Sequence, residues 1–365
     1  MNDPVRGDPM TSMNKTKIRV AILGATGTVG QRMIQLLDGH PWFQISALAA
    51  SDGSRGKLYR DAAHWLLESP MPVSVREAKV QASSPGLECD FVLSTLPSPV
   101  ALEVEADFAR AGYAVISNAS SYRMAADVPL LVPEINASHL DAVERQKTRW
   151  GGKGFIVTNP NCSTIGLVFP LAALDHAFGL EAVHVVTMQA LSGAGYPGVA
   201  SLDAVDNVLP AIDGGGEDGK IETEPQKILG GWNGTAFESR DFRVSAMTHR
   251  VNVRDGHLEA CSVKLRQPAS PEKVRDAFLS FPSAIEGLDL PSAPREPIIV
   301  EDDIGRPQPR LDRDRAGGMA VVVGPVLECA VLDYKFRVLS HNTVRGAAGA
   351  AILNAELLYR RGLIG

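Results

Sequence analysis

Residues 17–23, apolar without a break from Val20 to Leu23, read as a buried strand that ends in Gly24-Ala25-Thr26-Gly27-Thr28-Val29-Gly30 and passes directly into an amphipathic helical pattern over residues 29–37. A strand that reads as a continuous apolar run is covered on both faces, which is the condition of a parallel sheet flanked by helices. The spacing is GxxGxxG rather than the commoner GxGxxG. Gly24 permits a tight turn, Gly27 the approach of a pyrophosphate to backbone N–H groups, and Gly30 the close packing of helix on strand. Glycines serve any tight turn, so the motif takes its meaning from its place behind the first strand.

The pattern then repeats. Residues 44–50 read as a second strand, followed by Ser51, Asp52 and Arg55 in a short polar loop. An acid at this strand end suits the ribose hydroxyl of NAD, whereas hydroxyl and guanidinium groups suit the 2′-phosphate of NADP. Ser51 and Arg55 favour NADP, and Asp52, one residue past the strand, keeps NAD open. A third strand over residues 90–96 ends in Ser94-Thr95-Leu96 and leads to a helix over 100–110; a fourth over 114–117 leads to Asn118 and Arg123. Strands alternating with helices predict an α/β fold with a Rossmann-like, doubly wound parallel sheet, whose ligands gather at the C-terminal strand ends.

At 365 residues the chain is longer than one core normally supports, and beyond residue 181 the pattern changes to β-branched alternation over 182–188, 242–247, 257–265, 318–323 and 327–339. This predicts a second, α+β domain with a mixed or antiparallel sheet. The expected division is a disordered leader over 1–15, a nucleotide-binding domain over 16–160, a catalytic domain over 161–340 and a C-terminal helix over 341–365 packing back on the first domain. A formal charge of −6 leaves no basic excess for nucleic acid. Cys89, Cys162, Cys261 and Cys329 stand far apart without a CxxC or a Cys/His cluster, which argues against a metal site and for a reducing cytoplasm. No run reaches the length of a membrane span.

Asn159-Pro160-Asn161-Cys162-Ser163-Thr164 ends an apolar strand pattern over 154–157 and opens an apolar helix pattern over 166–178. A thiol at a helix N-terminus is favoured as the nucleophilic thiolate by the dipole and the free N–H groups. Free cysteines are also common inert packing residues. Thiol acyl chemistry needs a proton-handling partner and groups that hold the substrate. Among eight histidines, His257 is singled out by Arg250-Val251-Asn252-Val253-Arg254-Asp255-Gly256-His257, a turn that sets Arg250 and His257 toward one pocket. Gln189 precedes Ser192-Gly193 at a strand end and can orient a substrate beside the thiol. Glu224 and Lys227, three residues apart on a helix over 221–229, read from the pattern alone as a surface pair.

The ordered motifs GATGTVG at Gly24, SNASSYR at Ser117, NPNCSTI at Asn159, EPQKILG at Glu224, RVNVRDGH at Arg250 and HNTVRGAAG at His341 together resemble the aspartate-semialdehyde dehydrogenase family, in its archaeal and fungal branch, over residues 17–363. The resemblance implies Cys162 as nucleophile, His257 as acid/base, Gln189 and Asn161 as positioning groups, and Arg250 on the substrate carboxylate. It further implies Glu224 on the amino group and Arg123 and Lys227 about the phosphate, with Asn118 beside them. NADP is implied to rest on Gly24, Thr26, Gly27, Thr28, Val29, Ser51, Arg55, Ser94, Thr95, Leu96, Ser192, Gly193 and Asn342. The implied reaction is the reversible, NADP-dependent reductive dephosphorylation of 4-phospho-L-aspartate through a cysteine thioester, in the route to lysine, threonine and methionine. The implied assembly is a homodimer or homotetramer joined through the second domain. Some members of this branch are acyl-CoA reductases of the malonyl-CoA type, and a silent NADP-binding sensor is the alternative from another class; the NPNCS context sets the chain apart from acetylglutamyl-phosphate reductases.

Overall fold

The computed structural model describes residues 17–365, so the leader expected over residues 1–15 lies outside the described residues. Six parallel strands, β1 (Ile18–Leu23), β2 (Phe43–Ala50), β3 (Gln81–Ala82), β4 (Phe91–Ser94), β5 (Ala114–Ser117) and β6 (Phe155–Thr158), form a sheet of order β3-β2-β1-β4-β5-β6. Every residue of β4, β5 and β6 is buried, as continuous apolar runs require of strands covered on both faces. The order reverses direction at β1, so the glycine turn after β1 lies at the switch point where ligands collect. Gly24 there has φ +75°, and a Cβ on it would come within 2.9 Å of the Thr95 carbonyl oxygen. Gly30 lies in the first helix, Thr28–Leu37, and a Cβ on it would come within 2.5 Å of the Gly24 carbonyl oxygen. Both glycines therefore occupy places closed to any side chain, as the sequence predicts.

The second sheet is mixed. Its strands are β7 (Leu180–Gln189), β8 (Leu209–Pro210), β11 (Arg243–Arg250), β12 (His257–Leu265), β13 (Ile298–Val300), β14 (Val321–Val323), β15 (Leu327–Glu328) and β16 (Tyr334–Ser340), and a small hairpin of β9 (Gly231–Trp232) and β10 (Phe237–Glu238) stands apart from it. The order is β13-β14-β16-β12-β7-β11-β8, with β15 paired to β16. β11 runs parallel to β7 with Arg250 opposite Gln189, and β12 antiparallel to β7 with Leu258 opposite Met188. Three site candidates, Gln189, Arg250 and His257, thus lie at the same end of three adjacent strands. The strand expected over residues 327–339 is two strands, because the chain turns through 329–333 before re-pairing. The helix expected from residue 342 opens with a π-helical turn, Val344–Ala348, and continues as an α-helix, Gly349–Arg360. Its Ala348, Ala351, Ile352 and Leu358 share one apolar core with Val20, Ile22, Phe91 and Ile116 of the first sheet.

One buried acid sits in the first sheet's flank. Glu105, in the helix Ser98–Arg110, accepts a hydrogen bond from Ser117 Oγ at 2.7 Å, and burial pushes its carboxyl up to about 7. A carboxyl with a folded pKa above its unfolded one adds stability at low pH and loses it as pH rises from about 4.5 to about 7. Glu105→Gln is expected to remove this slope and to raise stability above pH 7 by about 3 kcal/mol. Urea unfolding at a series of pH values reads the difference; parallel wild-type and variant curves would refute it.

Candidate active site

The cysteine loop follows β6 and ends in the long helix Thr164–Phe178, which is buried along nearly its whole length. The helix opens as the sequence predicts, but its first N–H groups are not free. Asn161 Oδ1 accepts from the backbone N–H of Ser163 at 2.9 Å and of Thr164 at 3.2 Å. The expectation that the helix terminus favours a thiolate is therefore corrected: these donors are spent on Asn161, and burial pushes the Cys162 thiol up to about 12, with the Glu217 carboxylate adding to the rise. Arg250 and Arg123 oppose it.

Cys162 Sγ lies 3.2 Å from His257 Nε2. His257 is fully buried, and its other nitrogen, Nδ1, accepts from the Ala190 N–H at 3.0 Å. Burial first, then the nearby Arg250 charge, press its pKa down to about 3. Arg250 donates from Nη1 to the Ala190 carbonyl oxygen at 2.8 Å, which leaves most of its five donors for a ligand. Gly193 is the close neighbour of this pair, since a Cβ there would fall 2.7 Å from Arg250 Nη1 and 3.1 Å from His257 Cε1. Gln189 is buried, donates to Thr187 Oγ1 at 3.3 Å, and keeps its Oε1 without a partner, an acceptor that a ligand can satisfy.

Glu224 and Lys227 are drawn into this region, yet as supports of the loops. Glu224 accepts from the Asn161 N–H at 2.6 Å and from Arg123 Nη1 at 2.9 Å, so both its oxygens are engaged. Lys227 donates to the carbonyl oxygens of Arg123, Ala125 and Val128 at 2.6, 2.7 and 2.8 Å, which uses all three ammonium protons. Arg123 also donates to the Asn118 carbonyl oxygen at 2.7 Å, while its buried Nε has no partner. Seven residues earlier in the same helix, Gly216–Ile228, stand Glu217 and Lys220. Glu217 Oε1 accepts from Asn161 Nδ2 at 2.7 Å and Glu217 Oε2 from Lys220 Nζ at 3.1 Å. Sequence reasoning missed this pair, whose spacing duplicates that of Glu224 and Lys227.

The nucleotide-side candidates lie in the loops after β1, β2, β4, β7 and β16. Gly27 caps the first helix without any side-chain bond, and Thr28 Oγ1 is buried with no partner. Free N–H groups and an unsatisfied hydroxyl at a helix N-terminus fit an anion such as a pyrophosphate. Thr26 and Val29 belong to the same turn and helix start. Ser51 and Arg55 are exposed in the turn after β2, open to a 2′-phosphate. Thr95 Oγ1 donates to the carbonyl oxygens of Leu23 and Gly24, binding the loop of Ser94, Thr95 and Leu96 to the glycine turn. Asn342, after β16, ties two loops of the second sheet together by donating to Ser192 Oγ at 2.8 Å and accepting from the Gly256 N–H at 2.9 Å. Asn118 Oδ1 accepts from Asn159 Nδ2 at 2.9 Å.

A nucleotide-type parallel sheet joined to a mixed sheet that sets a cysteine against a histidine is the plan of a semialdehyde dehydrogenase, and family models match both parts: "Semialdehyde dehydrogenase, NAD binding domain" over residues 19–143 and "Semialdehyde dehydrogenase, dimerisation domain" over residues 171–345. The chain is 50% identical to an aspartate-semialdehyde dehydrogenase of Archaeoglobus fulgidus over 94% of its own length and 99% of that protein's, and 48% identical to one of Schizosaccharomyces pombe over 95% and 99%. It superposes on the crystal structure of the Candida albicans aspartate-semialdehyde dehydrogenase with NADP at a TM-score of 0.88, with 45% identity over 96% of this chain and 100% of that one. A Vibrio cholerae aspartate-semialdehyde dehydrogenase II complexed with ASA follows at a TM-score of 0.74 and 26% identity, covering 94% and 99%. The chain belongs to the aspartate-semialdehyde dehydrogenase family.

Proposed function

We propose that this protein catalyses the reversible NADP-dependent reductive dephosphorylation of 4-phospho-L-aspartate to L-aspartate 4-semialdehyde, an amino-acid biosynthetic step, through a thioester on Cys162. The observation that carries the reading is the 3.2 Å approach of Cys162 Sγ to His257 Nε2, flanked by Arg250 and Glu217 where the two sheets meet. Cys162 is the nucleophile, and splitting the displacement into two covalent steps lets one centre serve both phosphate loss and reduction. Arg250 takes the substrate carboxylate, and Arg123, whose buried Nε has no partner, takes the phosphate. Glu217, the carboxylate whose charge reaches the thiol and which is held by Asn161 and Lys220, meets the amino group. Gln189 and Asn161 position the acyl group. Gly24, Thr26, Gly27, Thr28 and Val29 would hold the NADP pyrophosphate, Ser51 and Arg55 its 2′-phosphate, and Ser94 to Leu96, Ser192, Gly193 and Asn342 its remaining length; bound there, NADPH supplies the hydride.

The names of the relatives do not favour the acyl-CoA reductase alternative. The test follows NADPH formation from aspartate semialdehyde and NADP with phosphate or with CoA added. Dependence on phosphate supports the assignment, and dependence on CoA alone overturns it. Glu217→Gln is expected to raise KM for aspartate semialdehyde by about 10- to 100-fold, the cost of removing one partner of a charged, partly buried contact, with a smaller change in kcat. Glu224→Gln is expected instead to lower thermal stability, because it loosens the Asn161 and Arg123 loops together. Steady-state kinetics beside thermal melts separates the two carboxylates, and interchanged results would return the amino-group role to Glu224.

We read the protein further as a homodimer or homotetramer joined through the second sheet, whose next-to-last strand β11 leaves Met247 54% exposed. Among the described residues no helix is long and apolar enough to cross a membrane. The four cysteines are free, which suits the reducing cytoplasm.

A further inference from the structure

Three successive carbonyl oxygens of the glycine turn are held by side chains. Thr95 Oγ1 donates to that of Gly24 at 3.1 Å, Tyr59 Oη to that of Ala25 at 2.8 Å, and Gln31 Nε2 to that of Thr26 at 3.0 Å. Tyr59 and Gln31 are wholly withdrawn from water. Gln31 also reaches beyond the turn, since its Nε2 donates to the His64 carbonyl oxygen at 2.8 Å and its Oε1 accepts from the Leu66 N–H at 2.7 Å. Both amide protons and the amide oxygen are thereby engaged. One turn further along the same helix, Gln35 Nε2 donates to Ser69 Oγ at 2.6 Å. Residues 59–69 are therefore fastened to the turn and to the first helix together.

The same residues cross to the second sheet. Glu68 pairs with Arg254, and the His64 ring lies 5.3 Å from that of Tyr196. Arg254 stands in the turn between β11 and β12, where Asp255 lies 3.7 Å from its Nε and steadies it. The carbonyl oxygens of Val253 and Arg254 accept from the N–H groups of Leu191 and Ser192 at 2.7 and 3.1 Å. Gly193 comes next, packed against Arg250 and His257. A continuous line of contacts thus joins the glycine turn to Ser192 and Gly193, the two places assigned above to opposite stretches of NADP.

We propose that Tyr59 and Gln31 are positioning residues for the cofactor, and that residues 59–69 form a strap, fixed to the glycine turn at one end and latched by Glu68 on Arg254, which retains the bound dinucleotide. The two ends differ in strength. Breaking the fixed end would leave buried carbonyl and amide groups of the turn and of residues 64–66 unpaired, each with its own desolvation penalty. The latch joins side chains that are 82% and 56% exposed, so it is weak and sensitive to salt. Such a strap opens at the latch. NADP then enters and leaves while Tyr59 and Gln31 keep the turn in its binding shape, and each closure of the latch bears on the Arg254 turn that also carries Ser192.

The inference rests on NADP lying along the glycine turn, and its test reads cofactor binding in place of turnover. Release of NADPH is followed by fluorescence in stopped flow. Glu68→Ala and Arg254→Ala are each expected to speed release about two- to fivefold at low ionic strength, the size of an exposed ion pair, with the difference fading in high salt. The double variant is expected to release NADPH no faster than either single one. Adenosine 2′,5′-bisphosphate lacks the nicotinamide half and is expected to bind all of these proteins alike. Tyr59→Phe and Gln31→Met, which keep side-chain size without the hydrogen bonds, are each expected to raise the NADPH dissociation constant about fivefold or more. Thermal melts show that the variants compared are folded. Wild-type release rates in the Glu68 and Arg254 variants, or losses that multiply in the double one, overturn the strap whether or not Gln31→Met folds. Wild-type affinity in Tyr59→Phe overturns its positioning role. Failure of the unaltered protein to bind NADPH would instead refute the cofactor reading beneath the proposal, so the two failures are told apart.

Discussion

Cys162→Ala is expected to lower turnover by about 10⁴-fold or more while leaving NADP affinity unchanged. The expectation follows from how little else the substitution disturbs. Alanine keeps the Cβ, and it is the Cα, Cβ and carbonyl oxygen of Cys162 that Gly346 is packed against, since a Cβ on that glycine would come within 3.0 to 3.2 Å of them. The Asn161 bonds that start the following helix use the loop backbone and not the thiol. The glycine turn and the Ser51 to Arg55 loop belong to the other sheet. Loss of the sulfur thus removes the covalent step and little more. NADPH formation with saturating aspartate semialdehyde and phosphate, beside a fluorescence titration of NADPH, reads both quantities. Turnover within about a hundredfold of wild type would show that sulfur does not carry the acyl group.

Arg345→Met is expected to cost about 3–5 kcal/mol of folding stability. Arg345 and Glu134 are both almost wholly withdrawn from water, at 0% and 1% exposure, and are joined by a 2.6 Å bond from Arg345 Nη2 to Glu134 Oε1. The pair is incompletely satisfied, for Arg345 Nε and Nη1 and Glu134 Oε2 have no further partner. Its guanidinium also lies over the Phe169 ring, 4.4 Å from the centroid, and Met can keep that contact. What Met cannot do is neutralise Glu134, and an unpaired buried carboxylate is the main source of the loss. The double variant Arg345→Met with Glu134→Leu is therefore expected to regain most of it, because two apolar side chains need no partners. Denaturant unfolding of wild type, the two single variants and the double one forms the test. A double variant as unstable as the sum of the singles would mean that the pair's value is its packing and not its charge.

The parts of this structure that sequence shows well are those fixed by local sterics. Gly24 and Gly30 stand where a Cβ would meet backbone, and this requirement is visible in the motif before any contact is known. His257 and Arg250 are visible because a turn between two strands sets them at one sheet end. Glu217 was hidden by helical geometry. It precedes Glu224 by seven residues, close to two turns, so both acids, and likewise Lys220 and Lys227, fall on one helix face, and periodicity has no means of choosing between them. Depth decides instead: the Arg123 to Val128 loop lies across the later turn and takes up Lys227, while the earlier turn borders the thiol. The same limit applies to the thiol itself. A helix N-terminus after Asn161 is legible, whereas the diversion of its N–H groups to the Asn161 side chain is a matter of rotamer and not of pattern.

The last two dozen residues close the core of the first sheet, where the helix Gly349–Arg360 and Ile364 pack with Val20 and Ile22 of β1, and they also bring Gly346 against the catalytic loop. On the ribosome this order has a cost in time. All six strands of the first sheet have been made once Thr158 emerges, yet about 200 residues must still be added before their covering helix exists, roughly 10–40 s of synthesis. During that interval the nascent sheet shows an uncovered apolar face, so this half of the molecule is expected to engage chaperones co-translationally, and a ribosome-stalled chain lacking residues beyond 340 is expected to remain protease-sensitive in its first sheet as well as inactive.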